Sequence, residues 1–225
     1  AGAGIIVVSV TKTGFALTLG SMILSLSHNI TFIALLLIAV VTIIFGMGMP
    51  TTASYVIAAA LSASSLIQLG INPIAAHLFI LYFAVMSNIT PPVAIAAYAG
   101  ANLADSDPMK TGVEAFFVAM AGYLVPFMFV FNPVLVLQNA TGFQIAWSAV
   151  TATLGVTMMA AGLQGYFRAK ANPIERIILL VAAVGLIHPG LLTDAIGLAA
   201  AVLVWVIQAR KKSSAGTTAE ETLQS

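Results

Sequence analysis

The sequence predicts an all-α integral membrane protein, and three observations carry that prediction. Of 225 residues, 60% are hydrophobic and only 7% are charged, where a soluble domain carries about a quarter charged residues. The charges cluster at 105–114, 168–176 and 210–212, with two more acids in the tail. Between the clusters lie apolar stretches comparable to the ~20 helical residues that cross a bilayer, so the lipid bilayer is the first expected partner. There is no cysteine, which excludes disulfide, thiol-redox and thiolate-metal chemistry. A net charge of +1, with no basic patch interleaved with aromatics, excludes a nucleic-acid partner. The chain opens on Ala1 and enters an apolar run at once, with no signal peptide in view. It reads as a piece of a longer or processed protein.

Residues 5–26 form the first hydrophobic segment, interrupted at 11–14 by TKTG. Residues 30–45 form a second, ending in GMGMPTT at 46–52. A third, 53–69, is richer in Ser and Ala. GINP at 70–73 is a turn in which Asn72 caps the next helix and Pro73 takes its first position, where a missing N–H loses no bond. The segment 73–104 is apolar except for SNITPP at 87–92. Asp107-Pro108 repeats the cap-then-proline signal. A segment at 112–131 ends before Asn132-Pro133, and another covers 142–167. Asn172-Pro173-Ile174-Glu175 reads as a capping box. The stretch 174–208 is apolar apart from His188-Pro189-Gly190, and the polar residues after Arg210 predict a disordered tail at 210–225.

Lys and Arg in short loops favour the cytoplasm. Lys110, the loop carrying Arg168, Lys170 and Arg176, and residues 210–212 are therefore expected inside, as is the C-terminus. The uncharged connections 68–72 and 132–141 then face outside. On this count 174–208 starts and ends inside and forms a hairpin of two short helices turned at 188–190. Upstream, 30–45 and 53–69 enter from outside and return outside, as a re-entrant hairpin (30–69) with its tip at 46–52.

As one straight helix, 73–104 is ~48 Å long, against a hydrocarbon core of ~30 Å. A break resolves the excess. Pro91 and Pro92 remove two backbone donors and clash with the preceding turn. Unwound backbone at membrane depth is tolerated only against protein or a water-filled cavity. The hairpin tip has the same character: Gly46, Gly48 and Pro50 break the helix, and Thr51 and Thr52 supply hydroxyls. Two half-helix ends facing each other offer carbonyls to a cation and amides to an anion. Short segments interrupted by Gly or Pro point to the binding site of a secondary transporter. The candidate ion- and substrate-binding residues are Gly46, Gly48, Thr51, Thr52, Ser87, Asn88, Thr90 and Pro91. Hard oxygen ligands suit Na⁺, here the backbone of Gly46, Gly48 and Asn88 with the hydroxyls of Thr51 and Thr90. No cofactor beyond this coupling ion is expected. The bland alternative is a kinked helix, because Gly and Pro are common in membrane helices.

The stretches GMGMPTTASYVIAAAL, AAHLFILYFAVMSNITPPVAIAAYAGANLADSDPMKTG and LVPFMFVFNP resemble the large membrane subunit of tripartite ATP-independent periplasmic (TRAP) transporters. The resemblance covers 1–135 and is to the fused type, in which small and large membrane subunits share one chain. Residues 142–208, including GLIHPGLLTDAIG, are similar to a C-terminal extension on such fused proteins. The resemblance implies an elevator-type secondary transporter of inverted repeats, each with a re-entrant hairpin and a broken helix. Residues 1–135 are then the C-terminal repeat, with hairpin 30–69 and broken helix 73–104. Residues 136–209 are a membrane extension, and 210–225 a cytoplasmic tail. It further implies Na⁺-coupled import of a small organic acid (a dicarboxylate, sialic acid or a keto acid), delivered by a periplasmic solute-binding protein across a bacterial inner membrane. The N-terminal repeat and the small membrane subunit are partners that this stretch does not contain. Half of the site is then elsewhere, and this chain alone is expected not to transport.

Other chemistry-bearing residues favour plainer roles. His77, four residues into the broken segment, is expected to be a hydrogen-bonded structural histidine rather than a gate or proton sensor. Lys12 is either an intramembrane charge or a snorkelling side chain at an interfacial bend. Lys110 and Glu114 are four apart in the less favourable order and read as a solvated pair. Asp194 with His188 invites a metal or proton relay, but a helix cap is favoured. Asn139-Ala140-Thr141 matches a glycosylation acceptor without meaning in a bacterial host. An intramembrane hydrolase built on Ser87 and His77 is excluded, because they lie about three turns apart on one segment. A structural or assembly subunit, whose breaks serve only packing, remains the competing function. No arginine sits in a membrane segment to clamp a carboxylate.

Overall fold

The computed structural model describes residues 2–138, 140–187 and 190–224. The expectations placed on His188, Pro189 and Asn139 therefore lie outside the described residues. The described residues are mostly helical, with no strand and one isolated bridge between Tyr166 and Lys170 among them. Eleven α-helices follow in order among them: α1 Gly2–Lys12, α2 Phe15–Leu26, α3 Thr31–Gly46, α4 Thr51–Gln68, α5 Pro73–Met86, α6 Ile95–Leu103, α7 Pro108–Ala119, α8 Val125–Phe131, α9 Gly142–Gln164, α10 Pro173–Ile187 and α11 Leu191–Gln224. Among the described residues three stretches are long and apolar enough to cross a membrane: Pro108–Phe131, Gly142–Gln164 and Leu192–Ala209. Shorter apolar helices cover Phe15–Leu26, Thr31–Gly46 and Pro73–Ile89. The chain is a multi-pass helical membrane protein.

It divides into two compact units, one of residues 2–119 and 125–136, the other of 120–124 and 137–224. In the first, α3, α4 and α5 pack on one another and α2 lies against α4. Close approach of α2 needs Gly20, whose Cβ, if it had one, would lie 2.6 Å from Ser65 Oγ. Leu35, Ile38, Leu61, Phe79 and Ile80 are fully buried at the centre. Phe127 of α8 meets Phe79 edge-on, with centroids 5.2 Å apart, and Phe83 stands beside them. The expected punctuation is present. Gly14 takes a left-handed φ of +71° between α1 and α2, and Lys12 ends α1 exposed. Asn72 Oδ1 accepts Ile74 N–H at 2.8 Å, and Asp107 Oδ1 accepts Lys110 N–H at 2.7 Å. Lys110 and Glu114 are both exposed.

In the second unit α9 and α10 pack along Gly155 and Gly162. A Cβ at Gly162 would sit 2.9 Å from Leu180 Cδ2. Gly197 does the same for α11, at 2.9 Å from Ala182 O. The core is Met158, Met159, Leu179, Ala183, Leu186 and Val204. Helix α9 opens with a capping box that the sequence reading missed: Thr141 and Gln144 satisfy each other's backbone N–H. At 172–175 the reach-back bond is present, Asn172 N–H to Glu175 Oε2 at 3.2 Å.

Two expectations need correction here. The second arm of the 174–208 hairpin is not short, because Leu192–Ala209 alone reaches spanning length. Asp194 is no simple cap: its buried carboxylate accepts Trp147 Nε1–H at 2.9 Å and so ties α11 to α9.

Candidate functional site

The break in the long segment is where the prolines demand it. Helix α5 stops at Met86, a 3₁₀ turn covers Ser87–Ile89, and regular helix resumes only at Ile95. The freed backbone is held by local side chains. Ser87 Oγ donates to Ala84 O at 2.8 Å and Thr90 Oγ1 to Met86 O at 2.7 Å. Tyr98 Oη donates to Pro92 O from the far side of the break. Ala94, fully buried, closes the break with φ +28° and ψ 51°. Such a conformation costs about 1–3 kcal/mol in a non-glycine residue, and strain of this kind concentrates at functional sites.

The tip between α3 and α4 meets this break. Helix α3 ends at Gly46 and the chain turns through Gly48, with φ +77°, to Pro50. Gly46 is buried because nothing larger fits. A Cβ there would overlap Ser87 Oγ, lie 2.7 Å from Ser87 Cβ and lie 2.6 Å from Ser54 Oγ. One turn further on, Asn88 Nδ2 donates to Thr51 Oγ1 at 3.3 Å and to Val85 O at 3.2 Å. Gly48 lies against Val93.

Of the residues singled out from sequence, the structure brings together Gly46 with Ser87, Thr51 with Asn88, and Gly48 with the segment after Pro91. Thr90 is buried in the break and Pro91 partly so. Thr52 departs from the set: it is exposed on the face next to that of Thr51.

Ser54 is the residue that sequence reasoning missed. It is fully buried in the first turn of α4, and its Oγ has no hydrogen-bond partner. A buried hydroxyl without a partner costs about 1–3 kcal/mol, so an orphan beside Gly46 and Ser87 asks for a ligand or an explanation. The signal was available, because Ser54 is three residues after Thr51 and shares its face. Among the described residues no group of three or more His, Cys, Asp or Glu is gathered to hold a metal ion. The polar atoms at this junction are hydroxyls, an amide and backbone carbonyls, all neutral.

The hydrolase alternative finds no support in this geometry. Ser87 Oγ is turned to Ala84 O, and His77 Nδ1 is 3.0 Å from Tyr55 Oη on α4. His77 is hydrogen-bonded, as expected from sequence.

Two family models match the chain. Residues 145–203 match a domain described only as "Domain of unknown function (DUF3394)". No curated protein and no solved structure matches it. Residues 1–142, well over half of the chain, match the DctM component of tripartite ATP-independent periplasmic transporters, and the chain belongs to that family of membrane permease subunits.

Proposed function

We propose that this chain supplies one half of the translocation site of a Na⁺-coupled TRAP permease that imports a small organic acid. The observation that carries the proposal is the junction of Gly46, Thr51 and Ser54 with Ser87 and Asn88. Residues about 40 positions apart in sequence meet there at two broken helix ends, with one buried hydroxyl left unpartnered. Broken helix ends at membrane depth are the usual ion and substrate sites of secondary transporters. In this reading 30–69 is a re-entrant hairpin and 73–104 the broken helix of an inverted repeat. Na⁺ binds through the Ser54 and Thr51 hydroxyls and backbone carbonyls of 46–48 and 87–90. The acid is delivered by a periplasmic solute-binding protein, and its charge is met by helix N-termini, hydroxyls and the bound cation. The rest of the site comes from the N-terminal repeat, in the elevator-type mechanism, across the bacterial inner membrane with the C-terminus in the cytoplasm.

The test is uptake by the full-length parent protein in liposomes with its binding protein. A panel of labelled organic acids is followed with and without an inward Na⁺ gradient, for wild type and for Asn88→Ala/Thr90→Ala. Sodium-dependent uptake lost in the variant supports the site. Uptake unchanged by the substitutions means the break is a kink that serves packing, and leaves the assembly-subunit function standing.

A further inference from the structure

The break is held from two sides. On one, the hairpin tip meets Ser87 and Asn88. On the other, α6 and α7 pack against each other and against the 3₁₀ turn Ser87–Ile89. This second side carries a side chain outside the ion site. Tyr98, in the first helical turn of α6, reaches back six residues and donates its hydroxyl to Pro92 O. Its own N–H donates to Ala94 O at 3.0 Å. One residue thereby holds the carbonyls on both sides of Val93, where broken backbone turns back into helix.

The Tyr98 ring has a seat on α7. A Cβ at Gly112, which is buried, would lie 2.9 Å from Tyr98 Cε1 and 3.4 Å from Ala94 Cβ. Helix α7 comes this close to both because position 112 carries no side chain. Met109, one turn earlier on α7, places Sδ 3.6 Å from Tyr98 Oη. The start of α7 is itself fixed. Asp107 Oδ1 accepts Lys110 N–H, and Ser106 Oγ lies 3.1 Å from Thr111 Oγ1. The phenol is confined by an anchored helix.

A helical ladder cannot orient this backbone. Pro91 and Pro92 have no N–H to bond the turn before them, so side chains must set where the carbonyls of the break point. Binding groups need to be held to about 0.5 Å by neighbours that are locked in turn by packing and hydrogen bonds. Tyr98, bonded at its hydroxyl and packed on Gly112, meets that description.

We propose that Tyr98 is a positioning residue for the ion site: its hydroxyl, seated over Gly112, fixes the Pro92 carbonyl and with it the aim of the carbonyls of 87–90, without touching the ion. The proposal rests on the Na⁺ site proposed above and adds to it a support from α6 and α7.

The test is thermal unfolding of the full-length parent protein in detergent, titrated with Na⁺ against choline at constant ionic strength. The rise in unfolding temperature with Na⁺ gives a half-saturating concentration. Tyr98→Phe keeps the ring and removes only the hydroxyl. It is expected to raise that concentration about tenfold, the usual size for a group that orients the ligands of a metal ion, while unfolding without Na⁺ changes little. Gly112→Ala displaces the ring and is expected to act in the same direction. Tyr98→Phe/Gly112→Ala should bind Na⁺ no more weakly than the weaker single variant, because both changes act through one contact. Earlier unfolding of Tyr98→Phe without Na⁺, at the wild-type half-saturating concentration, makes the bond structural only and overturns the proposal. Asn88→Ala/Thr90→Ala keeps the two readings apart. If it abolishes the Na⁺ effect and Tyr98→Phe leaves half-saturation unmoved, the ion site stands and Tyr98 has no part in it. If wild type shows no Na⁺ effect, or Asn88→Ala/Thr90→Ala keeps it in full, the ion site falls and this proposal with it.

Discussion

The two units handle buried polar groups in opposite ways. In the second, each is given a partner, down to Thr151, whose hydroxyl donates to Ser148 O within α9. Gln208 and Glu175 satisfy each other and three backbone amides, and Asp194 takes the Trp147 indole N–H. In the first, Ser87 and Thr90 sit where a helix is interrupted, while others such as Ser62 bond inside an intact helix. Backbone is unwound at 87–94, Ala94 is strained, and the Ser54 hydroxyl is left orphaned. Satisfied polar clamps rigidify a structure. Unwound backbone with an orphan tolerates its cost only where something else gains from it. The second unit's polar contacts tie its helices together, and the first unit's break is where the proposed ion site lies.

Substitutions break or sharpen this contrast, and the largest effect is expected in the second unit. Gln208→Leu strips the Arg168 and Ala169 amides and the Glu175 carboxylate of a partner at once. It should destabilise by roughly 3–5 kcal/mol, the usual cost of breaking a buried charged network, and lower the unfolding temperature in detergent. Any Na⁺ dependence of that temperature should survive. Gly46→Ala comes next. Its methyl overlaps Ser87 Oγ, and overpacking of this kind costs about 1–3 kcal/mol. Sodium-dependent uptake by the parent protein should fall further than stability does, and Gly46→Ala/Ser87→Ala should recover part of both. Trp147→Phe keeps the ring but removes the donor to buried Asp194, and should cost about 1–3 kcal/mol with uptake kinetics unchanged.

The smallest expected effect separates the units most sharply. Ser54→Ala removes a hydroxyl with no partner, so in Na⁺-free buffer stability should change by less than about 0.5 kcal/mol or rise slightly. In Na⁺ the stabilisation that wild type gains by ligand linkage should be reduced. Thermal unfolding with Na⁺ and with choline as the replacement cation measures it. An equal Na⁺ effect in wild type and Ser54→Ala would remove Ser54 from the ion site.

Much of this was legible in the sequence, for identifiable reasons. Pro91-Pro92 and GMGMP break helices through missing donors and glycine freedom, which are local properties. So are the caps at Asn72 and Asp107, each built from one side chain and an amide two or three residues on. The capping box of Thr141 was equally local but hidden behind a glycosylation pattern. The Trp147–Asp194 link and the Gln208–Glu175 pair were not legible. Each depends on which face of one helix meets which face of another.

The sequence by itself determined the class of the molecule, the places where its helices stop and the polar character of the two interruptions, because hydropathy, proline geometry and capping act within a few residues. Only the tertiary structure decided that the two interruptions meet, that Gly46 is a contact as well as a break, and that one hydroxyl there goes unanswered. Packing of helices brings residues 46 and 87 within a methyl's width of each other, and no periodicity along the chain encodes that distance.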